Sequence, residues 1–188
     1  MIDEFADDSF EIRIKGHEPG CGAEGLLKGD GYRKYDVVLF TNSDREPPRF
    51  VETHAKDHIW IPRDDCEEDN EKYKWKAMTL EDMQNVLKWT EGKNRICCCC
   101  HKGVSRSSAT AYVVASRVWG PEAALSILRP YKHWPNRLIV HLGAVALGDR
   151  KVWDMFVKWQ KKGTGVDVIK DFDEPWNRLQ ELPEVKDS

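Results

Sequence analysis

Eight residues, Cys100-His-Lys-Gly-Val-Ser-Arg-Ser107, concentrate the chemistry available to this chain. A cysteine and an arginine six positions apart bracket a short loop with Gly103 near its middle. An apolar run, Ile96 to Cys99, precedes it, and a helix-like run, Ser107 to Trp119, follows. Strand, tight loop and helix N-terminus together bind a phosphate dianion, because backbone N–H groups point into the loop and the helix dipole favours negative charge. The same field stabilises a thiolate, the reactive form of cysteine. Arg106 would close the cradle with a planar, bidentate fork. Phosphate held in front of a thiolate is a site for nucleophilic phosphoryl transfer.

Each residue also has a plainer reading. Cys100 could be one more buried strand cysteine, and Arg106 a surface arginine at a helix start. A helix N-terminus is a poor place for a cation, which argues that an anion sits there too. Gly103 lets the backbone approach a phosphate closely. His101, Lys102, Gly103, Val104, Ser105 and Arg106 supply the N–H groups that face the phosphate, while the side chains of His101 and Lys102 fan outward. Those two side chains either add positive potential for multiply anionic substrates such as phosphoinositides or are simply exposed polar groups. Ser107 is otherwise an ordinary polar residue in a first helical turn.

The octapeptide resembles the Cys-x5-Arg-Ser/Thr signature of the protein tyrosine phosphatase superfamily. Cys100 to Val114, with Ala124-Leu-Ser-Ile-Leu-Arg129 and Pro135-Asn136, is similar to the small dual-specificity-like phosphatases and their bacterial relatives. The resemblance covers roughly Lys34 to Gly148. It implies an α/β fold with a central, mostly parallel sheet flanked by helices and a helical C-terminal half. It implies a phosphocysteine intermediate on Cys100, phosphate held by residues 101–106, and a Ser107 hydroxyl that helps the thiolate leave. The family's general acid is an aspartate on a loop after an upstream strand. Here that loop is Pro62-Arg-Asp-Asp-Cys-Glu-Glu-Asp69, and aligning Ile59-x-Ile61 puts Asp65 in the acid position. Asp64 is the near alternative and Asp69 a distant one; Glu67 and Glu68 belong to a solvated loop.

The family places a histidine just before the nucleophile, where this chain has Cys99. The competing reading is therefore a loop that binds phosphorylated ligands without turning them over. A rhodanese-type cysteine loop is a third reading, opposed by the helical stretch after Trp119. By resemblance the substrate is phosphotyrosine in proteins, with phosphoserine, phosphothreonine and phosphoinositides as further candidates in a shallow pocket. No cofactor or metal is expected, since thiolate chemistry needs none. His133 and His141, flanking a helix, read as packing or surface residues, and Pro135-Asn136 as a turn. Cys66 beside the acid offers a disulfide partner for an oxidised Cys100.

The elements that must position these residues follow from pattern. The chain's 188 residues, 40% hydrophobic, support one domain with a proper core, expected over residues 1–162, with 163–188 an acidic tail. Net charge is −3 and the isoelectric point about 6.1, so no basic signal for nucleic acid or anionic membrane is present. No apolar run approaches a membrane span, and Met1 to Ser9 lacks a signal-peptide pattern. Four consecutive cysteines, Cys97 to Cys100, are not a disulfide framework. Alternate strand side chains face opposite ways, so the run reads as small hydrophobes in a buried strand rather than a zinc site. A thiolate beside free thiols implies a reducing, cytoplasmic setting, and a monomer is the expected state.

Strands are expected at Phe10–Lys15, Tyr35–Phe40, His58–Ile61 and Ile96–Cys99, the last apolar on both faces as in parallel sheets. Gly29-Asp30-Gly31 marks a turn, Thr41–Pro48 a loop, and Arg63–Lys76 a charged loop or short helix. Helices are expected from the Thr79 cap to Thr90, stopped by Gly92; from Ser107 to Trp119; from Pro121 to about Arg129; from Pro135 to Leu147; and beyond an Asp149 cap.

Overall fold

The computed structural model describes residues 10–24 and 35–164. The glycine turn at 29–31, the N-terminal nine residues and the tail beyond Thr164 lie outside the described residues. Four strands, β1 (Glu11–Gly16), β2 (Asp36–Thr41), β3 (Asp57–Pro62) and β4 (Arg95–Cys100), form one sheet in the order β1-β4-β2-β3. Every pairing is parallel, so all four strands end on the same edge. The helices are α1 (Arg49–His54), α2 (Leu80–Trp89), α3 (Arg106–Trp119), α4 (Pro121–Ala124), α5 (Arg137–Leu147) and α6 (Arg150–Thr164). The chain is thus an α/β protein with a parallel sheet flanked by helices and a helical C-terminal half, as its alternating pattern predicts.

β4 lies between β1 and β2, so both of its edges are paired, and side chains on both of its faces are buried. Cys98 and Cys100 join the larger core, with Met83 of α2, Tyr112 and Val113 of α3, Ile139 and Val140 of α5, and Phe156 of α6. Cys97 and Cys99 point into a smaller core with Ala23, Val37, Leu39 and Val51. The four thiols therefore divide two and two between the faces, as strand geometry demands. Residues of α3 from Arg106 to Ser116 are all buried. Among the described residues no helix is long and apolar enough to cross a membrane.

Caps set several boundaries. Thr79 Oγ1 accepts from the Asp82 N–H at 3.1 Å while the Asp82 carboxylate accepts from the Thr79 N–H, a full capping box at the head of α2. Asn136 Oδ1 accepts from the Ile139 N–H and starts α5. Asp149 accepts from the Lys151 N–H ahead of α6, which extends to Thr164.

α2 ends at Trp89 with Thr90 as its C-cap, within a residue of the expected end, and Thr90 Oγ1 donates to the Val86 and Leu87 carbonyls there. Some expectations shift. The helix expected to reach Arg129 is four residues long, tightens to a 3₁₀ turn over Leu125–Ile127, and gives way to extended backbone at Leu128. Pro130 disfavours helical backbone at Arg129, which limits any continuation. Residues 63–76 form turns rather than a helix, closed by a bridge between Asn70 and Trp75. α1 has no counterpart in the sequence pattern: six residues with one buried side chain, Val51, carry too little periodicity. His141 does not flank a helix but sits inside α5, buried edge-on against the Trp153 ring at 5.4 Å.

α3 and α5 approach so closely at Gly143 that a β-carbon there would overlap the Val113 side chain. Gly143→Ala is expected to cost about 1–3 kcal/mol by overpacking. Combining it with Val113→Ala should cost clearly less than the sum of the two changes, as read from urea unfolding of the four proteins.

Candidate active site

The β4–α3 loop leaves the sheet at its centre, on the edge where parallel strands end, the position at which open α/β sheets bind ligands. Its shape is set from the side by the segment just past β1. The His17 N–H donates to the Cys100 carbonyl at 2.9 Å and the Glu18 N–H to the His101 carbonyl at 3.1 Å. These bonds occupy the loop's carbonyls from outside. From the other flank, the Trp134 N–H donates to the Val104 carbonyl at 3.0 Å. By contrast, the N–H groups of residues 101–106 donate to no carbonyl or side chain among the described residues.

Gly103 has φ +74°, a left-handed conformation that disfavours a β-carbon. A β-carbon there would also overlap the Lys15 and Gly16 backbone, and one at Gly16 would overlap Lys102. The two glycines let loop and strand touch backbone to backbone. The close approach at Gly103 is therefore to β1, a contact that the octapeptide alone does not reveal.

The head of α3 is unusually open. Ser105 occupies its N-cap position but makes no capping bond; its Oγ donates to Asp65 Oδ1 at 2.7 Å. The first turn holds no acidic side chain. The helix dipole and its first N–H groups are left uncompensated by the usual local means. Cys100, in the last position of β4, lies at this end, with Sγ 3.1 Å from the Ser107 Oγ.

Arg106 is 3% exposed. Its Nη1 donates to the carbonyls of Thr41 at 3.0 Å and Arg63 at 2.6 Å, the residues at the ends of β2 and just past β3. Its Nη2 donates to Asn42 Oδ1 at 3.3 Å. Its Nε is buried with no hydrogen-bond acceptor, and the nearest carboxylate oxygen, Asp65 Oδ2, is 4.0 Å away. One edge of the guanidinium is thus fixed to backbone, and the other carries a buried donor without an acceptor.

The two adjacent aspartates differ sharply. Asp64 is buried and accepts from Ser43 Oγ at 2.6 Å, from the Lys76 N–H at 2.9 Å and from the Ser43 N–H at 3.4 Å. Burial pushes its pKa up, but those bonds and the nearby Arg106 charge outweigh it and hold the carboxyl below its ordinary value. Asp65 has its side chain 38% exposed, with Oδ1 held by Ser105 Oγ and by Asn136 Nδ2 at 3.0 Å. Its Oδ2 accepts no hydrogen bond among the described residues and faces Arg106. Asp69 instead accepts from the Ala77 N–H at 2.8 Å, a bond within its own loop. Glu67 pairs with Arg137.

The structure therefore brings Cys100, Ser107, Arg106, Ser105 and Asp65 to one place and directs Asp64 and Asp69 elsewhere. Val104 contributes carbonyl bonds to Ser108 and Trp134, and Lys102 is exposed. His101 pairs with Glu18, Nε2 to Oε1 at 2.5 Å. Cys99 turns to the opposite face, where its Sγ lies 3.4 Å from that of Cys97. The contact with Cys97 and burial both push the Cys99 thiol well above its ordinary pKa. Burial and then the Asp64, Asp69 and Asp65 carboxylates also raise that of Cys66. Among the described residues no group of His, Cys, Asp and Glu is arranged to hold a metal ion.

Three contributors escape the sequence reading. Asn42 meets Arg106, and Asn136 both caps α5 and holds Asp65. His17 sets Nε2 3.1 Å from the Phe40 carbonyl and its ring edge-on to His101 at 5.5 Å. Burial chiefly, and then the charges of His101 and Arg106, lower the His17 pKa. Asn136 had a visible signal as an N-cap ahead of an apolar periodic run; His17 and Asn42 had none.

No family model matches the chain, and no curated protein does. Among solved structures, a human protein described as a tyrosine phosphatase-like serine/threonine/tyrosine-interacting protein is similar, with a TM-score of 0.44 and 13% identity. The match covers 61% of this chain and 76% of that one.

The contrast between the aspartates is measurable. Because its folded pKa is lowered, Asp64 contributes stability that is present above the ordinary carboxylate range and lost as pH falls through the folded value. Asp64→Asn is expected to cost about 1–3 kcal/mol near pH 7. The gap from the parent should narrow as urea unfolding is repeated at successively lower pH below about 4.

Proposed function

We propose that this chain is a cysteine-dependent phosphatase that hydrolyses phosphate monoesters, foremost phosphotyrosine in proteins, and that residues up to 162 form its phosphatase-like domain. The observation that carries the reading is the loop of unengaged N–H groups, from His101 to Arg106, at an uncapped helix end beside a cysteine. Such a loop is built for a tetrahedral dianion. The buried Nε of Arg106 is a further donor without an acceptor on the same structure.

In the proposed mechanism the Cys100 thiolate attacks phosphorus in line, forming an S–P bond as the ester P–O bond breaks. The loop N–H groups and the Arg106 guanidinium hold the three equatorial oxygens and the charge that develops on them. Asp65 Oδ2 carries the proton that the leaving phenolate or alkoxide takes up. Water then attacks the phosphocysteine and gives its proton back to Asp65. The S–P bond breaks, the electron pair returns to sulfur, and Ser107 Oγ, 3.1 Å away, donates to the departing thiolate. Arg106 is held by its Nη1 bonds, so these donors are placed before substrate arrives. A thiolate of this kind belongs in a reducing compartment, so the protein works in the cytoplasm, where phosphorylated proteins are its partners.

One observation favours a second reading. Cys99 turns away from the loop, so no side chain from the preceding position orients it, and a module that binds phosphate without hydrolysing it is the alternative.

Hydrolysis of a small aryl phosphate in the presence of EDTA separates the two. Turnover by the parent, abolished by Cys100→Ser and by vanadate, is expected. A parent that binds vanadate but shows no turnover gives the site to the binding module. Asp65→Asn should reduce kcat by about 10²–10⁴ for an alkyl or poorly activated aryl ester. The loss should be much smaller for p-nitrophenyl phosphate, whose leaving group needs less protonation. Equal losses on both esters would remove Asp65 from the acid role.

A further inference from the structure

The loop that bonds to Val104 carries two aromatic side chains whose rings stand largely in solvent. Trp134 is 57% exposed and Tyr131 is 90% exposed. Tyr131 also holds φ +68°, a left-handed conformation that is unusual for a bulky residue. The aromatics border a mainly apolar cleft of about 330 Å³ whose walls include Pro130, Tyr131, Trp134, Pro135 and Trp159, with His133 and Gln160 as its polar members. Trp134 and Pro135 also line a shallower, polar depression whose other walls include Asp65, Ser105 and Asn136. Trp134, Pro135 and Gln160 thus join the apolar cleft to the rim of the phosphate loop, and the Trp134 N–H bond to Val104 fixes that junction there. Neither depression contains Cys100 or Arg106, so the cleft lies beside the reacting centre rather than over it.

We infer that the Trp134 cleft receives an apolar, aromatic side chain flanking the phosphorylated residue of a peptide substrate, and so makes this site selective for sequence around the phosphate. The inference rests on the phosphate-loop reading above and deepens it. A phosphorylated residue seated in the loop leaves its neighbours in an extended chain, which advances about 3.3 Å per residue. The polar depression with Asp65 and Ser105 accommodates that backbone, and the cleft beyond Trp134 takes the flanking side chain. Aromatic rings in offset or edge contact gain beyond simple burial, and rigid aromatic anchors are what specific interfaces use. The exposed pair also explains why the chain tolerates an aromatic in left-handed backbone: Gly would relax position 131 but leave the cleft without a wall.

The test uses the full chain carrying Cys100→Ser and two phosphotyrosine peptides that differ only in having phenylalanine or alanine on both sides of the phosphotyrosine. Isothermal calorimetry should show the phenylalanine peptide binding about tenfold more tightly. Adding Trp134→Ala should collapse that ratio, and Trp134→Phe should retain most of it. The ratio compares two ligands on one protein, so a general loosening of the loop does not mimic the effect. Equal affinities for both peptides would overturn this inference while leaving the phosphatase reading intact. A parent that fails on aryl phosphate yet keeps the flank preference would overturn the phosphatase reading alone, and failure to bind either peptide would overturn both. A parent that sediments as a dimer, and that Trp134→Ala converts to a monomer, would assign the cleft to a second copy of this chain and overturn the inference.

Discussion

The buried guanidinium of Arg106 ties the site together. It starts α3, yet its Nη1 bonds reach carbonyls at the end of β2 and just past β3, and its Nη2 reaches Asn42. A charge buried to this degree is costly unless it is bonded, and backbone carbonyls here do part of what a carboxylate would do. Full neutralisation is left undone: Asp65 stops 4.0 Å short and Nε has no acceptor. An anion in the loop would complete the set. The order β1-β4-β2-β3 makes this possible, because it puts the ends of β2 and β3 on one side of the loop and the end of β1 on the other.

The loop itself is an exercise in where polar groups go. Its outward carbonyls are taken by His17, Glu18, Trp134, Ser108 and Ala109 as donors. Its N–H groups from His101 to Arg106 find no acceptor among the described residues. Ser105 could have capped α3 in the ordinary way, and Asp65 holds its hydroxyl instead. That one diversion both opens the helix end and anchors the carboxylate beside it. Asn136 works in the same double manner, with its carbonyl oxygen starting α5 and its amide donating to Asp65. The acid candidate is therefore positioned by the starts of two helices.

Much of the frame was legible because it is local. The β4 run, the loop glycine and the long apolar α3 lie within a single stretch, and the Thr79 and Asp149 caps announce their helices within three residues. Asp64 and Asp65 are adjacent and chemically identical; the family alignment puts Asp65 first, and the physical difference between them lies in their partners, Ser43 and Lys76 against Ser105 and Asn136. Those partners lie up to 71 positions away in the chain, so their meeting depends on strand order, which periodicity does not encode. His17 and Asn42 were hidden for the same reason. α4 fell short because a 3₁₀ turn and a coming proline outweigh apolar spacing over so few residues.

The position before Cys100 shows how strand parity constrains what a side chain can reach. A side chain at Cys99 must face the side of the sheet opposite Cys100, and here it meets Cys97 among apolar neighbours rather than the loop. It cannot reach the Cys100 sulfur from that side, and its own thiol is pushed well above its ordinary pKa there. Any orientation therefore falls to groups on the loop side: the Ser107 hydroxyl, the open N–H groups and the contacts from His17 and Glu18 just past β1. His17 is kept toward its neutral form chiefly by burial, so it supports the loop by shape and backbone bonding rather than by a full charge. What side-chain hydrogen bonding does not supply at Cys99, backbone geometry supplies at Gly16 and Gly103, where two segments of the chain pass too closely for any β-carbon.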